Sequence, residues 1–208
     1  MDNMTFKSKI NFVTDRAFHQ LKHGKYVDFA PIEDSIVKAD EFFTEAVRTC
    51  TAGGIIDTKN NEAVGFHIFD TEETFKNIQS IIDKIFGALK NPDKCLLLGG
   101  KNLKNSEYSI DIFETIRRAC AERLNSVTSF EIHTLPWSES DLHYSLKDDT
   151  WNIHTMFRTN LDYKERSILS NDDLANNFKY IYTAKDDIIN FPSDNIVREK
   201  KSFFNRYT

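Results

Sequence analysis

Cys50 stands in the run Phe42-Phe43-Thr44-Glu45-Ala46-Val47-Arg48-Thr49-Cys50-Thr51-Ala52-Gly53-Gly54, a thiol set among small residues beside a glycine pair. Backbone of that composition lets another molecule approach closely. Seventeen residues further on, His67 closes the run Ala63-Val64-Gly65-Phe66-His67. A thiol needs a base to become a strong nucleophile, and imidazole is the usual one. The imidazole in turn needs a third group to fix its tautomer, normally by accepting the Nδ1–H. Cys50 and His67 are therefore candidates for covalent acyl chemistry, with sulfur attacking a carbonyl carbon and the imidazole moving the proton.

Strands must bring the two together. Val64, Phe66 and Ile68 alternate on one face, which leaves Gly65, His67 and Phe69 on the other. A turn over Asp57 to Glu62 folds the Gly53–Ile56 strand back beside the His67 strand and carries Cys50 toward the His67 end. Asp70 or Thr71 reads as a helix N-cap, with Glu73 three residues after Asp70 as a capping-box partner. Phe75, Ile78, Ile81, Ile82, Ile85, Phe86 and Leu89 follow as a helical stripe that ends near Gly87 and Pro92. Cys95 to Leu98 is a short buried strand closed by Gly99-Gly100, and a second helix runs from about Ser106 to Leu124 with Ile112, Ile116, Ala119 and Cys120 facing inward. The pattern then turns to β: Phe130 with Ile132, Leu142-Tyr144-Leu146, and Trp151-Ile153-Thr155-Phe157, with Lys147-Asp148-Asp149 as the turn between the last two. Phe178, Tyr180 and Tyr182 suit a late strand. Helices among strands, out of strict βαβα order, favour an α+β layered domain.

The remaining residues narrow the field. With 27 basic against 32 acidic residues the net charge is −5, and no basic face is evident, so a nucleic-acid partner is not expected. The one basic cluster, Arg198 to Lys201 with Arg206, reads as a solvated tail. No apolar run approaches the ~18 residues that cross a bilayer, and Met1 to Lys9 lacks a signal-peptide core. Insertion in a membrane is thus not expected. Cys50, Cys95 and Cys120, odd in number and spread, make no disulfide framework, so the expected compartment is a reducing cytoplasm, the cell's own or a host's. Cys95 and Cys120 read as buried hydrophobes. His19 and His23 lack the Glu of an H-E-x-x-H pattern and read as an exposed helix rather than metal ligands. His133, His143 and His154 are scattered on strand-like segments; Asp148-Asp149 and Asp186-Asp187 read as turn or helix-start charges; Gly99-Gly100-Lys101 lacks phosphate-loop spacing.

Cys50 and His67, at this spacing and with Thr44 six residues before the cysteine, resemble the bacterial chemoreceptor glutamine deamidases, the CheD family, within the wider fold group of cytotoxic necrotizing factor-like cysteine hydrolases. That family uses a Cys-His-Thr triad at these spacings. The strand, Asp-containing turn and strand ending in His are similar too, as are the helix after His67, the strand closing in Gly99-Gly100 and the helix from Ser106. The likeness spans roughly residues 40 to 155. It implies a layered α/β/β/α sandwich with two mostly antiparallel sheets and flanking helices, filling residues 1–157, the first ~35 least defined, with 158–208 as an extension. It implies Cys50 as nucleophile, His67 as base and Thr44 holding the imidazole through its hydroxyl, with no metal or organic cofactor. The activity implied is deamidation of glutamine to glutamate on a protein, either a chemoreceptor or, as in secreted toxins of that fold group, a host protein. A transglutaminase or protease would share the Cys-His pair, and a catalytically silent binding module would keep the fold. Arg48-Thr49 stands where the family has Gly-Ser, a difference that bears on the substrate more than on the triad.

Overall fold

The computed structural model describes residues 8–29, 35–100, 107–132, 138–158, 165–167, 178–182 and 188–190. They form, in chain order, β1 (Lys9–Phe12), α1 (Asp15–Gln20), β2 (Lys25–Tyr26), β3 (Ile36–Lys38), β4 (Glu41–Val47), β5 (Thr51–Asp57), β6 (Glu62–Ile68), α2 (Glu72–Lys76), α3 (Ile78–Gly87), β7 (Lys94–Gly99), α4 (Ser109–Arg123), β8 (Ser126–Ile132), β9 (Ser138–Ser145), β10 (Thr150–Arg158), β11 (Glu165–Ser167), β12 (Phe178–Tyr182) and β13 (Ile188–Asn190). One sheet has the order β13-β1-β10-β9-β4-β2, with β11 also on β10; the other has the order β12-β8-β7-β5-β6-β3. Antiparallel pairings predominate, and the parallel ones are β1 with β10 and β13, β2 with β4, and β7 with β8.

Burial follows the strand period. All seven residues of β5 are buried, as befits a strand covered on both faces. Ala52 and Ile56 point at the other sheet, where Phe42, Leu142, Tyr144 and Trp151 meet them. Ile55 points the opposite way, into a second core beneath Ile82 and Ile85 of α3 and Ile112 and Ile116 of α4. On the far side α1 lays Phe18 over the first sheet, its ring 6.0 Å from His154. The result is the expected α+β sandwich, layered α/β/β/α.

One contact sets how the sheets meet. Gly54 and Gly65 are cross-strand partners, and a Cβ at Gly65 would lie 2.4 Å from Phe42 Cδ2. The absence of side chains there lets the Phe42 ring lie on the β5–β6 hairpin. Two residues further along each strand, on the same inward faces, stand Thr44 and His67.

Some expectations change. The stripe from Phe75 to Leu89 is two helices, broken at Asn77, whose Nδ2 donates to Glu73 O at 2.9 Å and competes with the helical ladder. Phe75 leaves the stripe to lie half exposed against Tyr108, ring centroids 5.4 Å apart. Thr71, not Asp70, caps α2, accepting from Thr74 N at 3.1 Å. Helix α1 stops at Gln20, so His19 and His23 share no helix face. The Phe157 side chain, His133, Asp186-Asp187, Lys101 and the basic cluster near the C-terminus lie outside the described residues. Beyond residue 158, β11 and β13 extend the first sheet and β12 the second. No helix among the described residues is long and apolar enough to cross a membrane.

Candidate active site

Thr44 is near the end of β4, just before the strand bulges. Thr44 pairs with Leu142 and Val47 with Ser140, so two residues of β4 face one of β9. The bulge is held at Ala46, which adopts φ 59° and whose N–H donates to Asp141 Oδ1 at 2.9 Å. Asp141 Oδ2 lies 2.8 Å from Nδ1 of His154, its cross-strand partner on β10, so the bulge is anchored to a buried pair beneath α1. Past the bulge the chain crosses from the first sheet to the second through Arg48, Thr49 and Cys50. Arg48 Nε donates to Glu139 Oε2 at 2.5 Å, which keeps the guanidinium on the outside of this corner.

The hairpin then brings Cys50 to His67. Ala52 and His67 are direct cross-strand partners, and Cys50 stands two residues before Ala52, one residue before the paired strand begins. Gly99 closes on the corner from β7: it has φ +154°, and a Cβ there would lie 2.6 Å from Cys50 O. Only a residue without a side chain lets β7 and the nucleophile corner come this close.

Thr44 settles the state of the imidazole. Its Oγ1 donates its single proton to Val27 O at 2.8 Å and lies 2.6 Å from His67 Nδ1. With that proton committed, Oγ1 accepts from Nδ1–H, and Nε2 is left as a bare base. His67 Nε2 is buried and has no hydrogen-bond partner. Phe29 covers the ring at 5.5 Å and stacks on Phe69 at 5.6 Å. These two rings, 38% and 43% exposed, form a lip over a dyad that is itself 0% exposed at His67 and 5% at Cys50.

Both members of the dyad are neutral near pH 7. Burial, with Asp28 opposing, brings His67 down to about 4. Burial and then the charge of Asp70 push Cys50 up to about 12, against the pull of the N–H groups of Asp70 and of Cys50 itself. The resting pair is thiol and imidazole, not thiolate and imidazolium. It can act only if proton transfer and sulfur attack occur together.

The structure thus joins Thr44 to His67, sets Cys50 at the His67 end of the same hairpin with no hydrogen bond to Nε2, and keeps the other candidates apart. Cys95 and Cys120 are buried in the core under α3 and α4. His143 bonds Glu41 at 3.0 Å and Asn152 at 3.1 Å, on the opposite face of the first sheet from Thr44. No group of three His, Cys, Asp or Glu among the described residues is arranged to hold a metal ion. Val27, Phe29 and Ser109 are site residues that the sequence did not mark, and it marked Asp70 only as a candidate helix cap.

The molecule is defined, then, as a two-sheet sandwich with a threonine hydroxyl on one sheet bonded to an imidazole on the other, and a cysteine on the segment that crosses between them. Compared with known proteins, the chain matches no family model and no curated protein.

Proposed function

We propose that the chain is a cysteine-dependent amidohydrolase that converts glutamine side chains of a protein substrate to glutamate. The observation that carries this reading is the relay from His67 Nδ1 through Thr44 Oγ1 to Val27 O, which leaves Nε2 bare beside a cysteine corner. Sulfur adds to the carboxamide carbon as His67 takes the thiol proton, and His67 then protonates the departing ammonia. Water, deprotonated by His67, hydrolyses the thioester and restores the thiol. Thr44 orients the ring without adding charge, so it does not raise the basicity of His67 as a carboxylate would. A nucleophile 5% exposed behind an aromatic lip suits a slender side-chain carboxamide better than a main-chain amide, which favours deamidation over proteolysis. The triad spacing supports a chemoreceptor as the protein substrate; a host protein, with the chain acting in a host cytoplasm, uses the same chemistry.

The burial that keeps both groups neutral favours a second reading, a binding module that retains the fold without turnover. One experiment separates them. A library of glutamine-containing peptides is incubated with the wild type, Cys50→Ala and His67→Ala, and each glutamine is scored for a gain of about one dalton. Conversion by the wild type alone is expected. Equal conversion with Cys50→Ala overturns the enzyme.

A further inference from the structure

Thr49, the residue before the nucleophile, is tethered from two sides. Ser109 Oγ, at the start of α4 and fully buried, donates to Thr49 O at 2.5 Å. Thr49 Oγ1 donates to Asp70 Oδ1 at 2.9 Å. Because Thr71 caps α2, the Asp70 carboxylate is left for Thr49. Asp70 also follows His67 by only three residues, so it links the cysteine corner directly to the strand that carries the base.

We propose that Asp70 is a positioning residue that both fixes the Cys50 corner through Thr49 and sets a carboxylate beside it, adding to burial in holding Cys50 as a thiol until an acyl group arrives. The proposal rests on the reading of Cys50 as nucleophile and concerns how that nucleophile is restrained between turnovers. A charge beside the sulfur makes early proton loss costly. The S–H bond therefore breaks only as the S–C bond forms, the proton passing to His67 Nε2 and the carbonyl electrons to oxygen. The other charged or titratable groups around this corner are His67 on β6, Asp28 after β2, Arg48 bound to Glu139 of β9, and Glu131 of β8 across Gly100. The hydroxyl of Thr49 thereby acquires a role at a position where Ala or Gly would leave the corner loose.

The test reads Cys50 alkylation by iodoacetamide, peptide by peptide, on the full chain across roughly pH 6 to 10. Asp70→Asn keeps an oxygen for Thr49 and removes the charge. It is expected to alkylate Cys50 about threefold faster or more at each pH below the plateau, since half a unit in ionisation is about threefold in thiolate. Thr49→Val cuts the tether and keeps the charge, so it should not show the acceleration at every pH expected of Asp70→Asn, and Thr49→Ser should match the wild-type rate. Far-UV circular dichroism checks that each variant is folded. An Asp70→Asn profile that overlays the wild type, or a Thr49→Val profile shifted like Asp70→Asn, overturns the proposal. Neither result depends on a glutamine substrate, so a failed deamidation assay and a failed restraint are told apart.

Discussion

Thr44→Val is the sharpest perturbation of the site, because it keeps the shape and removes the hydroxyl. Thr44 is 1% exposed, so no water replaces the lost bonds. Val27 O loses its donor and His67 Nδ1–H its acceptor, and each orphaned buried group costs about 1–3 kcal/mol. Thr44→Ser keeps both bonds and loses one buried methyl, about 1 kcal/mol. The valine variant should therefore be less stable than the serine variant by about 1–5 kcal/mol. Urea denaturation reads this as a lower midpoint at unchanged slope. The same bonds fix the proton on Nδ1, so long-range proton–nitrogen spectra should show the His67 tautomer altered in Thr44→Val and intact in Thr44→Ser. If Thr44→Val matches Thr44→Ser in stability and leaves the tautomer alone, the relay does not hold the imidazole and the argument for the site fails.

Other outcomes are expected. His67 titrates near 4 when folded against 6.5 unfolded, so below pH 6.5 the unfolded chain binds the proton first. Stability should fall with pH from about 6.5 down to about 4, by about 3 kcal/mol in all, and His67→Asn should flatten that limb of a denaturation series. Cys50 acts at the other end: raised from 9.0 to about 12, it should cost stability as pH climbs through that window, a loss Cys50→Ala removes. Ala46→Gly should raise stability by about 0.5–1 kcal/mol, since φ 59° strains a side chain and this exposed alanine packs against little. Gly65→Ala should cost about 1–3 kcal/mol by forcing a methyl into the Phe42 ring, and calorimetry would show no loss if the sheets had room.

Period two made the hairpin legible. Once Val64, Phe66 and Ile68 share a face, His67 must take the other, and a turn at Asp57 to Glu62 fixes which end of β5 it meets. Helix α4 was legible from its inward stripe, as were β9 and β10 from their alternation. Strands β1, β2 and β3 were not, because strands of two to four residues carry too few positions to show a period. The roles of Val27 O and Asp70 were hidden for another reason. A carbonyl has no signature in the sequence, and an aspartate before a threonine that caps a helix looks like a cap itself. The Asn77 break was missed because the apolar spacing continues across it. Arg48, marked as a departure from the chemoreceptor deamidases, lies outside the corner against Glu139 and does not enter the dyad.

Thr44 belongs to one sheet and His67 to the other, with Cys50 on the segment that passes between them. The bond from Thr44 to His67 is thus also a latch between two halves built at different times. Strand β4 is hydrogen-bonded to β9, whose residues leave the ribosome almost a hundred positions after Thr44, whereas the hairpin carrying Cys50 and His67 can form from local chain alone. A nascent chain can form the hairpin before β9 exists to pair with β4 and seat the hydroxyl that orients the imidazole. The oriented imidazole is therefore a property of the closed sandwich and not of the hairpin alone.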